Sequence, residues 1–242
     1  MAVKIGSARS SYGNTAPGDQ NGGREVSTEN WYLHSKGWVV LRAIDPAVRE
    51  RIAVAMDRAC DNNDIGYSQP TRLTLFENVK PFGFDPSKTT KPVNCDCSSL
   101  VRVCVHYAGI TVDNFITSNE VSKLMATGAF EQFTDDAHCK SSDRLLSGDI
   151  LVTKTKGHTV VVLSDGAKAA EERQSAPVEP AAMGDLVVAS GAWNLRLGPG
   201  TQYGAVKTVH GGDRLVKVDA NGWLPVEFGG EVLWISPKAV QG

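Results

Sequence analysis

Residues 94–106 constrain the fold of this chain more than any other part of the sequence. From Leu100 onward the apolar residues recur at helical spacing, which predicts a helix with one buried face. Asp96, Ser98 and Ser99 lie just before this pattern. Their side chains are of the types that accept hydrogen bonds from the free amides in the first turn of a helix. The sequence therefore predicts that Cys97 lies at or just inside the N-terminus of a buried helix.

A cysteine in this position is a candidate nucleophile. The helix dipole and the unpaired N–H groups of the first turn favour an anion, so we expect the pKa of the Cys97 thiol to be lowered. Such a thiol needs a base within reach, and His158 is the candidate because it follows Gly157 at the head of a β-branched run. Cys95 is a rival nucleophile, although it precedes the predicted helix. A buried structural thiol at Cys97 is the alternative interpretation.

Three motifs in the chain resemble the NlpC/P60 family of peptidoglycan-cleaving cysteine peptidases. They read Asp-Cys-Ser-Ser-Leu-Val at 96–101, Gly-Asp-Ile-Leu-Val at 148–152 and Gly-His at 157–158. Their order and spacing agree with the family over roughly residues 50–166. The resemblance implies an α+β fold with a papain-like catalytic domain, in which helices pack on an antiparallel sheet that pairs residues 150–153 with 158–163. It also implies that Cys97 is the nucleophile and His158 the base of an amide-bond cleavage.

The resemblance leaves two further site residues open. A third polar residue orients the imidazole in such sites, and Asp165 is the nearest candidate, with Asp19 and Gln20 as others. The family also carries a tyrosine beside the nucleophile, and Tyr67 matches it by position, although the glycine pair of the family motif is absent. Tyr67 is therefore a candidate oxyanion donor. The alternative is a loop aromatic packed on the helix.

Local patterns predict the elements around these motifs. Residues 6–23 are rich in Gly, Ser and Asn, which predicts turns in an N-terminal extension. The aromatic residues within 26–41 indicate one or two short strands docked on the body. Asp45-Pro46 predicts a helix start, and residues 117–120 (Thr-Ser-Asn-Glu) have the form of a capping box.

The composition changes after residue 168. Residues 169–182 are rich in Ala, Glu and Pro and poor in large apolar residues, which is typical of a linker. Short apolar runs between Gly-rich turns follow, and this spacing predicts a small all-β barrel. The sequence therefore predicts a catalytic domain with its extension at 1–168, the linker at 169–182 and a second domain at 183–242.

The second domain resembles the bacterial SH3 (SH3b) module. The matching elements are residues 193–203, Gly212-Asp213, Asn221-Gly222-Trp223 and Trp234-Ile235-Ser236. The resemblance implies a barrel that binds cell-wall peptides or glycans. Tyr203 and Trp223 are the aromatic candidates for ligand binding. The predicted core of this domain includes Leu195, Leu197, Val206 and Leu215.

Composition and charge exclude several classes of protein. The chain has 242 residues, of which 41% are hydrophobic and 21% charged, as in an ordinary globular protein. Its formal net charge is −2, so its overall charge does not favour binding to nucleic acid or to an anionic membrane. No apolar run approaches the length of a membrane span, and residues 1–12 lack the apolar core of a secretory signal. We therefore expect no nucleic-acid or membrane partner. We also expect a protein that stays in a host cytoplasm until its release to the cell wall, or that leaves by another route.

The cysteine content predicts a reduced protein without a disulfide scaffold. The chain has five cysteines, and an odd number leaves at least one unpaired within the molecule. Cys95, Cys97, Cys104 and His106 lie close together in the sequence, but their spacing does not match the paired knuckles of a zinc site. We therefore expect no metal and no cofactor.

These features favour a monomeric peptidoglycan hydrolase of the endolysin type, delivered to the wall by its second domain. The resemblance implies cleavage of the γ-D-glutamyl–diamino acid bond of the stem peptide. The alternatives are an N-acetylmuramoyl-L-alanine amidase on the same scaffold and a non-catalytic cell-wall-binding protein. The presence of both Cys97 and His158 favours the catalytic interpretations.

Overall fold

A computed structural model gives the fold of the chain. It describes residues 2–10, 25–155, 157–175, 185–188, 191–198, 201, 203–210, 214–217, 224–228, 231–236 and 240–241. The chain divides into two compact units, Met1–Ala176 and Pro177–Gly242. The helices are α1 (Pro46–Cys60), α2 (Thr74–Val79), α3 (Cys97–Tyr107), α4 (Glu120–Met125), α5 (Asp136–Cys139) and α6 (Ala167–Ser175). The strands of the first unit are β1 (Lys4–Ala8), β2 (Val26–Asn30), β3 (Trp38–Ala43), β4 (Ile65–Tyr67), β5 (Val93–Cys95), β6 (Phe130–Phe133), β7 (Ile150–Thr153) and β8 (Thr159–Val162).

The first unit is built on an antiparallel sheet whose described strands follow the order β2-β1-β8-β7-β3-β6. A separate parallel pair joins β4 to β5 just before α3. In the pairing of β7 with β8, Ile150 lies opposite Val161 and Val152 lies opposite Thr159. The predicted α+β class and the predicted antiparallel pair are therefore confirmed.

The predicted N-terminal extension is part of this central sheet. β1 lies between β2 and β8, so residues 4–8 form a strand and the turn predicted from Gly6 onward is wrong there. The cause is the close packing of α1, since a Cβ on Gly6 would lie only 2.6 Å from Cγ of Met56. A glycine that resembles a turn signal in the sequence instead lets a helix approach the sheet. Residues 11–24 lie outside the described part of the chain.

The sheet of the first unit has an apolar core on each face. On one face, α1 and α3 pack against a cluster that includes Leu41, Val152 and Val161. On the other face, Trp38 and Val160 belong to a second cluster, and Trp38 is fully buried. Partly buried aromatic residues pack against that second cluster, as the aromatic content of residues 26–41 indicated: Trp31 and Tyr32.

The two predicted helix starts have different outcomes. Asp45 is the N-cap of α1, and its side chain accepts a hydrogen bond from the backbone N–H of Ala47 at 2.8 Å, as predicted. The predicted capping box at residues 117–120 is wrong. There α4 begins only at Glu120, after Asn119, whose side chain makes no cap hydrogen bond. Glu120 is fully buried and is not available as a capping residue.

The Gly148-Asp149 motif ties the sheet to α1. Asp149 is fully buried and accepts hydrogen bonds from Nε and Nη2 of Arg42 at 2.8 and 2.7 Å. Gly148 has a φ of +89°, and a Cβ there would lie 1.9 Å from the carbonyl oxygen of Arg49. This part of the family resemblance therefore has a structural basis: a buried charge pair beside a turn that only glycine can form.

The second unit is an antiparallel sheet with its own core. Its described strands are β9 (Asp185–Val188), β10 (Ala192–Arg196), β11 (Ala205–His210), β12 (Arg214–Lys217), β13 (Leu224–Phe228), β14 (Glu231–Ile235) and β15 (Val240–Gln241). They follow the order β11-β10-β14-β13-β12-β9-β15. Among the described residues the edge strands β11 and β15 do not pair with each other, so the all-β character of the second unit is confirmed and its closure into the predicted barrel stays a prediction.

The core of the second unit differs in part from the prediction. Leu195 and Leu215 are buried as expected and pack in one apolar cluster. Leu197 and Val206 are 54% and 46% exposed, so their assignment to the core is wrong. Both lie at or near ends of strands, where sequence alternation is a weak guide to the buried face.

The predicted linker begins as a helix. α6 covers residues 167–175, and Ala169 is buried. The backbone N–H of Ala169 donates to the carbonyl oxygen of Asp143 at 2.9 Å, which attaches the start of α6 to the first unit. Alanine and glutamate suit a linker and a helix equally, so composition alone did not separate the two.

The geometry of Gly148 leads to a stability prediction. Gly148→Ala places a Cβ against a backbone oxygen, so we expect a loss of about 1–3 kcal/mol beyond the cost of the left-handed conformation. Gly109→Ala is the matched control, because Gly109 has a φ of +95° and a Cβ added there would have no described contact within 4 Å. Urea denaturation measures both. Equal losses in the two variants would contradict the steric explanation.

Candidate active site

The N-terminus of α3 is closed by a reciprocal set of hydrogen bonds. Oδ1 of Asp96 accepts from the backbone N–H of Ser99 at 2.7 Å, and the backbone N–H of Asp96 donates to Oγ of Ser99 at 2.8 Å. This is a capping box, and both of its residues are buried. It places Cys97 as the first residue of the helix, as the sequence predicted.

Arg72 supports the N-cap from outside the helix. Its Nε donates to Oδ2 of Asp96 at 2.6 Å, and its Nη2 donates to Oγ of Ser98 at 3.1 Å and to the carbonyl oxygen of Phe115. Nη1 donates to Oδ1 of Asn114 at 3.0 Å. The ion pair between Arg72 and Asp96 is mostly buried, since 14% and 12% of their side-chain surfaces are exposed. The sequence analysis missed Arg72 because it lies in a loop without any motif.

Cys97 is buried, with 8% of its surface exposed. Burial, followed by the charges of Asp96 and Glu120, raises the pKa of the Cys97 thiol to about 12. The backbone N–H groups of Thr159 and Ser98 act on the sulfur in the opposite direction but do not outweigh burial. The expected lowering of this pKa is therefore wrong, because the dipole argument took no account of desolvation and neighbouring carboxyl groups.

Tyr67 lies in the environment of Cys97. Its hydroxyl accepts a hydrogen bond from Nε2 of Gln69 at 3.1 Å. Burial raises the pKa of Tyr67, and the charges of Cys97 and Asp96 act in the same direction. The structure thus brings Tyr67 and the candidate nucleophile into one neighbourhood, on β4 and α3 respectively. Its role as an oxyanion donor stays a prediction.

The other cysteines differ from Cys97 in position. Cys95 is fully buried in β5, and its thiol donates to the carbonyl oxygen of Gly66 at 3.6 Å. Cys104 is fully buried on α3. Both have a raised pKa because of burial. All five cysteines are free, and within the described ranges no group of three or more His, Cys, Asp or Glu side chains could hold a metal ion.

His158 lies on the sheet face away from α3. Its ring centroid is 6.5 Å from that of Trp38 and 6.4 Å from that of His34, and Trp38 belongs to the second core cluster. Successive strand residues point to opposite faces, so Thr159 faces α3 while His158 faces away. Burial lowers the pKa of His158 to about 4, and His34 and Arg9 add to this effect. The backbone of Thr159, and not the ring of His158, is among the groups that act on the pKa of Cys97.

Asp165 lies at the far end of β8 from His158. The two residues flank that strand, His158 before Thr159 and Asp165 after Val162. Oδ1 of Asp165 accepts from the backbone N–H of Ser147 at 2.8 Å. This separation does not favour Asp165 as the residue that orients the imidazole, since an extended chain advances about 3.3 Å per residue. The other candidates, Asp19 and Gln20, lie outside the described residues.

Glu120 is a second group that the sequence analysis did not assign to the site. It is fully buried, and its Oε1 accepts a hydrogen bond from Oγ1 of Thr159 at 2.8 Å. Its Oε2 is buried and has no hydrogen-bond partner among the described residues. Burial raises the pKa of Glu120 to about 8, with a further contribution from Asp96. In the sequence, Glu120 stood out only as part of the apparent capping box at residues 117–120, which predicted a helix-capping role for it instead of a place in the site.

A cleft lies beside the helix start. It has a volume of about 950 Å³ and is lined by residues 69–74, 77–78 and 91–93. Cys97 does not line it, whereas Arg72 does. Because Arg72 also binds Asp96, the cleft adjoins the N-cap of α3 without containing the candidate nucleophile.

The aromatic candidates of the second unit are partly described. The ring of Tyr203 covers Gly198, since a Cβ on that glycine would lie 2.6 Å from Cδ1 of Tyr203. The carbonyl oxygen of Tyr203 accepts a hydrogen bond from Nη1 of Arg196 at 2.6 Å. Tyr203 is half-buried. Trp223 lies outside the described residues, so the pairing of the two aromatics stays a prediction.

Comparison with known proteins gives one match. A family model described as an endolysin-like domain matches residues 7–169, which include the last two residues of β1, all of α3 and β8, and both Cys97 and His158. No curated protein and no solved structure matches the chain. Within the described residues, no helix has the length and apolar character needed to cross a bilayer.

Proposed function

Because the chain belongs to the endolysin-like domain family, which indicates a cell-wall-lytic function, we propose that it hydrolyses an amide bond of peptidoglycan with Cys97 as the nucleophile. One observation carries the proposal. Cys97 is the first residue of a helix whose N-terminus is buried and closed by a capping box, with Arg72 held on the N-cap Asp96 at 2.6 Å. The substrate of such an enzyme is the peptidoglycan of a bacterial wall.

In the proposed reaction, the sulfur of Cys97 attacks the carbonyl carbon of the amide while the thiol proton passes to the imidazole of His158. The resulting oxyanion is stabilised by N–H groups at the start of α3, with Tyr67 as the side-chain candidate. Collapse of this intermediate breaks the C–N bond, and the amine leaves with the proton from the imidazolium. Water then hydrolyses the thioester and restores the thiol.

The base role of His158 requires its ring to move. In the structure the ring packs near Trp38 and His34 on the far face of the sheet. Gly157 precedes it with a φ of +126°, in the region of backbone conformation that glycine adopts most readily. The proposal therefore requires the imidazole of His158 to cross to the α3 side of the sheet, where Thr159 faces.

We propose the γ-D-glutamyl–diamino acid bond as the bond that is cut, following the resemblance to NlpC/P60 peptidases. The alternative is the N-acetylmuramoyl-L-alanine bond. The termini released by each differ, because the first cut frees the amine of the diamino acid and the second frees that of the first alanine. The non-catalytic alternative releases neither.

The first prediction concerns the nucleophile. Cys97→Ser should abolish the release of fragments from purified sacculi, because a serine hydroxyl lacks the nucleophilicity of a thiol in this site. Cys104→Ala is the matched control on the same helix, and we expect it to keep most of the activity. Mass spectrometry of the fragments that the wild type releases identifies which peptidoglycan bond is cut. Fragment release by the Cys97→Ser variant would contradict the mechanism.

The second prediction concerns pH. In the position that the structure shows, burial lowers the pKa of His158 to about 4, so the ring starts in its base form across pH 5–8, and activity should decline as the pH falls toward 4 and this form is lost. The unfolded chain binds this proton near the ordinary histidine pKa of 6.5, so the stability that the neutral His158 contributes is complete above pH 6.5 and is lost progressively as the pH falls from there to about 4. The pH dependence of initial lysis rates measures this effect.

His158→Ala completes that test. We expect it to reduce lysis by at least about 100-fold, the usual contribution of a general base. His138→Ala is the control, because His138 pairs with Asp135 on α5 away from the proposed chemistry. Full activity of His158→Ala would move the base role to another residue and leave Cys97 as the nucleophile.

The third prediction concerns the second unit, for which we propose wall binding through Tyr203 and Trp223. Residues 177–242 expressed alone should sediment with sacculi in moderate salt, since aromatic side chains suit contact with peptides and glycans. Trp223→Ala should weaken this sedimentation, and Lys207→Ala, on the exposed strand β11, serves as the control. Equal binding of both variants would exclude a Trp223 site.

A further inference from the structure

We propose that the cleft beside the N-cap of α3 binds the diamino acid of the stem peptide, with Lys91 on its carboxylate and Glu77 on its ammonium group. This assignment rests on the proposed function, because it takes the stem peptide as the ligand. It adds a binding site outside the reactive centre. The charges in the cleft, its polar and apolar walls and its connection to the helix start support it.

The cleft carries two opposite charges that remain available to a ligand. Lys91 and Glu77 both line it, and both residues are exposed. Neither side chain forms a hydrogen bond or an ion pair with another residue in the described part of the chain. Arg72, the third charged residue of the lining, already binds Asp96 at 2.6 Å. Arg102 lies within electrostatic range of Glu77, but its guanidinium is held over an aromatic ring at 3.7 Å.

Two amide side chains of the lining are oriented by neighbours and keep one polar atom each for a ligand. Oδ1 of Asn78 accepts a hydrogen bond from Oγ1 of Thr89 at 2.5 Å. Nε2 of Gln69 donates to the hydroxyl of Tyr67 at 3.1 Å. Among the described residues, Nδ2 of Asn78 and Oε1 of Gln69 have no partner, so the cleft offers one donor and one acceptor. These groups complement the C=O and N–H of a peptide bond.

The remaining walls of the cleft are apolar and stiff. Pro70, Leu73 and Pro92 line it, and the proline rings fix the backbone on both sides. The volume of about 950 Å³ lies in the range of small-ligand sites. A diamino acid joins an ammonium group and a carboxylate through methylene groups, which suit apolar walls between two charges. The described lining contains no aromatic residue, so it lacks the rings on which sugars stack.

The walls of the cleft are attached to the start of α3. The backbone N–H of Ser68, at the start of the loop that forms one wall, donates to the carbonyl oxygen of Cys95 at 2.9 Å. Arg72 joins the same wall to Asp96, the residue before Cys97. The cleft therefore begins no farther from Asp96 than the length of one arginine side chain. A few residues of an extended peptide cover that distance, since each adds about 3.3–3.6 Å.

This location agrees with the bond that we propose is cut. The γ-D-glutamyl–diamino acid bond releases the amine of the diamino acid, so that residue lies on the leaving side of the scissile amide. With the diamino acid in the cleft, the amide on its amino side extends toward Cys97. Lys91 and Glu77 are then specificity-determining residues, because each recognises one charge of the leaving residue.

The test measures ligand binding by isothermal titration calorimetry to the full chain carrying Cys97→Ser, which prevents turnover. The probe is the stem tripeptide L-alanyl-γ-D-glutamyl-L-lysine. Two further probes each lack one charge: the tripeptide amidated at its C-terminal carboxylate, and the tripeptide acetylated on the lysine side chain. We expect each of these to bind about fivefold more weakly, the effect of one exposed ion pair. Equal affinities for the three probes, or no binding of any of them, would overturn the proposal.

Substitutions in the cleft assign each charge to its partner. Lys91→Gln should weaken binding of the tripeptide about fivefold and leave that of the amidated probe unchanged. Glu77→Gln should likewise leave binding of the acetylated probe unchanged. Lys88→Gln is the control, because Lys88 is exposed and does not line the cleft, and it should bind all probes as the parent does.

Two results of the substitutions contradict the assignment. If Lys91→Gln weakens binding of the free and the amidated tripeptide equally, Lys91 does not recognise the carboxylate. If Lys91→Gln and Glu77→Gln weaken binding of the disaccharide N-acetylglucosaminyl-N-acetylmuramic acid and not that of the tripeptide, the cleft binds glycan and the proposal is wrong.

This readout is independent of wall lysis. If the tripeptide binds with the predicted dependence on its charges but the wild type releases no fragments from sacculi, the cleft assignment stands and the proposed hydrolase function fails. If fragments are released and the three probes bind equally, the hydrolase function stands and the cleft is not the site of the diamino acid.

Discussion

The buried ion pair between Arg72 and Asp96 is the interaction on which the candidate site depends. Asp96 closes the first turn of α3 and would be an isolated buried charge without Arg72, a state that costs several kcal/mol. The same guanidinium binds Ser98 and the backbone at Phe115, so one side chain joins the loop after β4, the helix start and the segment before α4. The position of Cys97 follows from this arrangement.

Charge balance around that pair explains the unusual acid–base properties of the site. The positive charge of Arg72 compensates the negative charge of Asp96. Glu120 and Cys97 are two further acids that are buried, and burial, followed by neighbouring acidic groups, raises the pKa of both. A thiol in this condition is protected from adventitious oxidation and alkylation, since reactivity follows the thiolate. The proposed chemistry therefore needs the proton to leave during attack, not before it.

Packing of the helices on the sheet supports the candidate site together with these polar contacts. α1 and α3 lie on one face of the sheet, and β1 lies beside β8 because Gly6 allows α1 to approach. Thr159 lies at the head of β8, where the described pairing of β1 with β8 has ended. The N-terminal strands are thus part of the sheet that carries the candidate site, and the family match includes all of β2 and the last two residues of β1.

The sequence by itself determined the elements with strong local signals. The caps at Asp45 and Asp96, the apolar stripe of α3 and the β-branched run after His158 each depend on neighbours within a few residues, so the sequence predicted the helix starts and the β7–β8 pair. Only the tertiary structure decided which sheet face each of His158 and Thr159 occupies, that Gly6 belongs to a strand, and that burial raises the pKa of Cys97. Those outcomes depend on residues distant in the chain, Arg72, Glu120 and Met56 among them, whose contacts leave no periodic trace in the sequence.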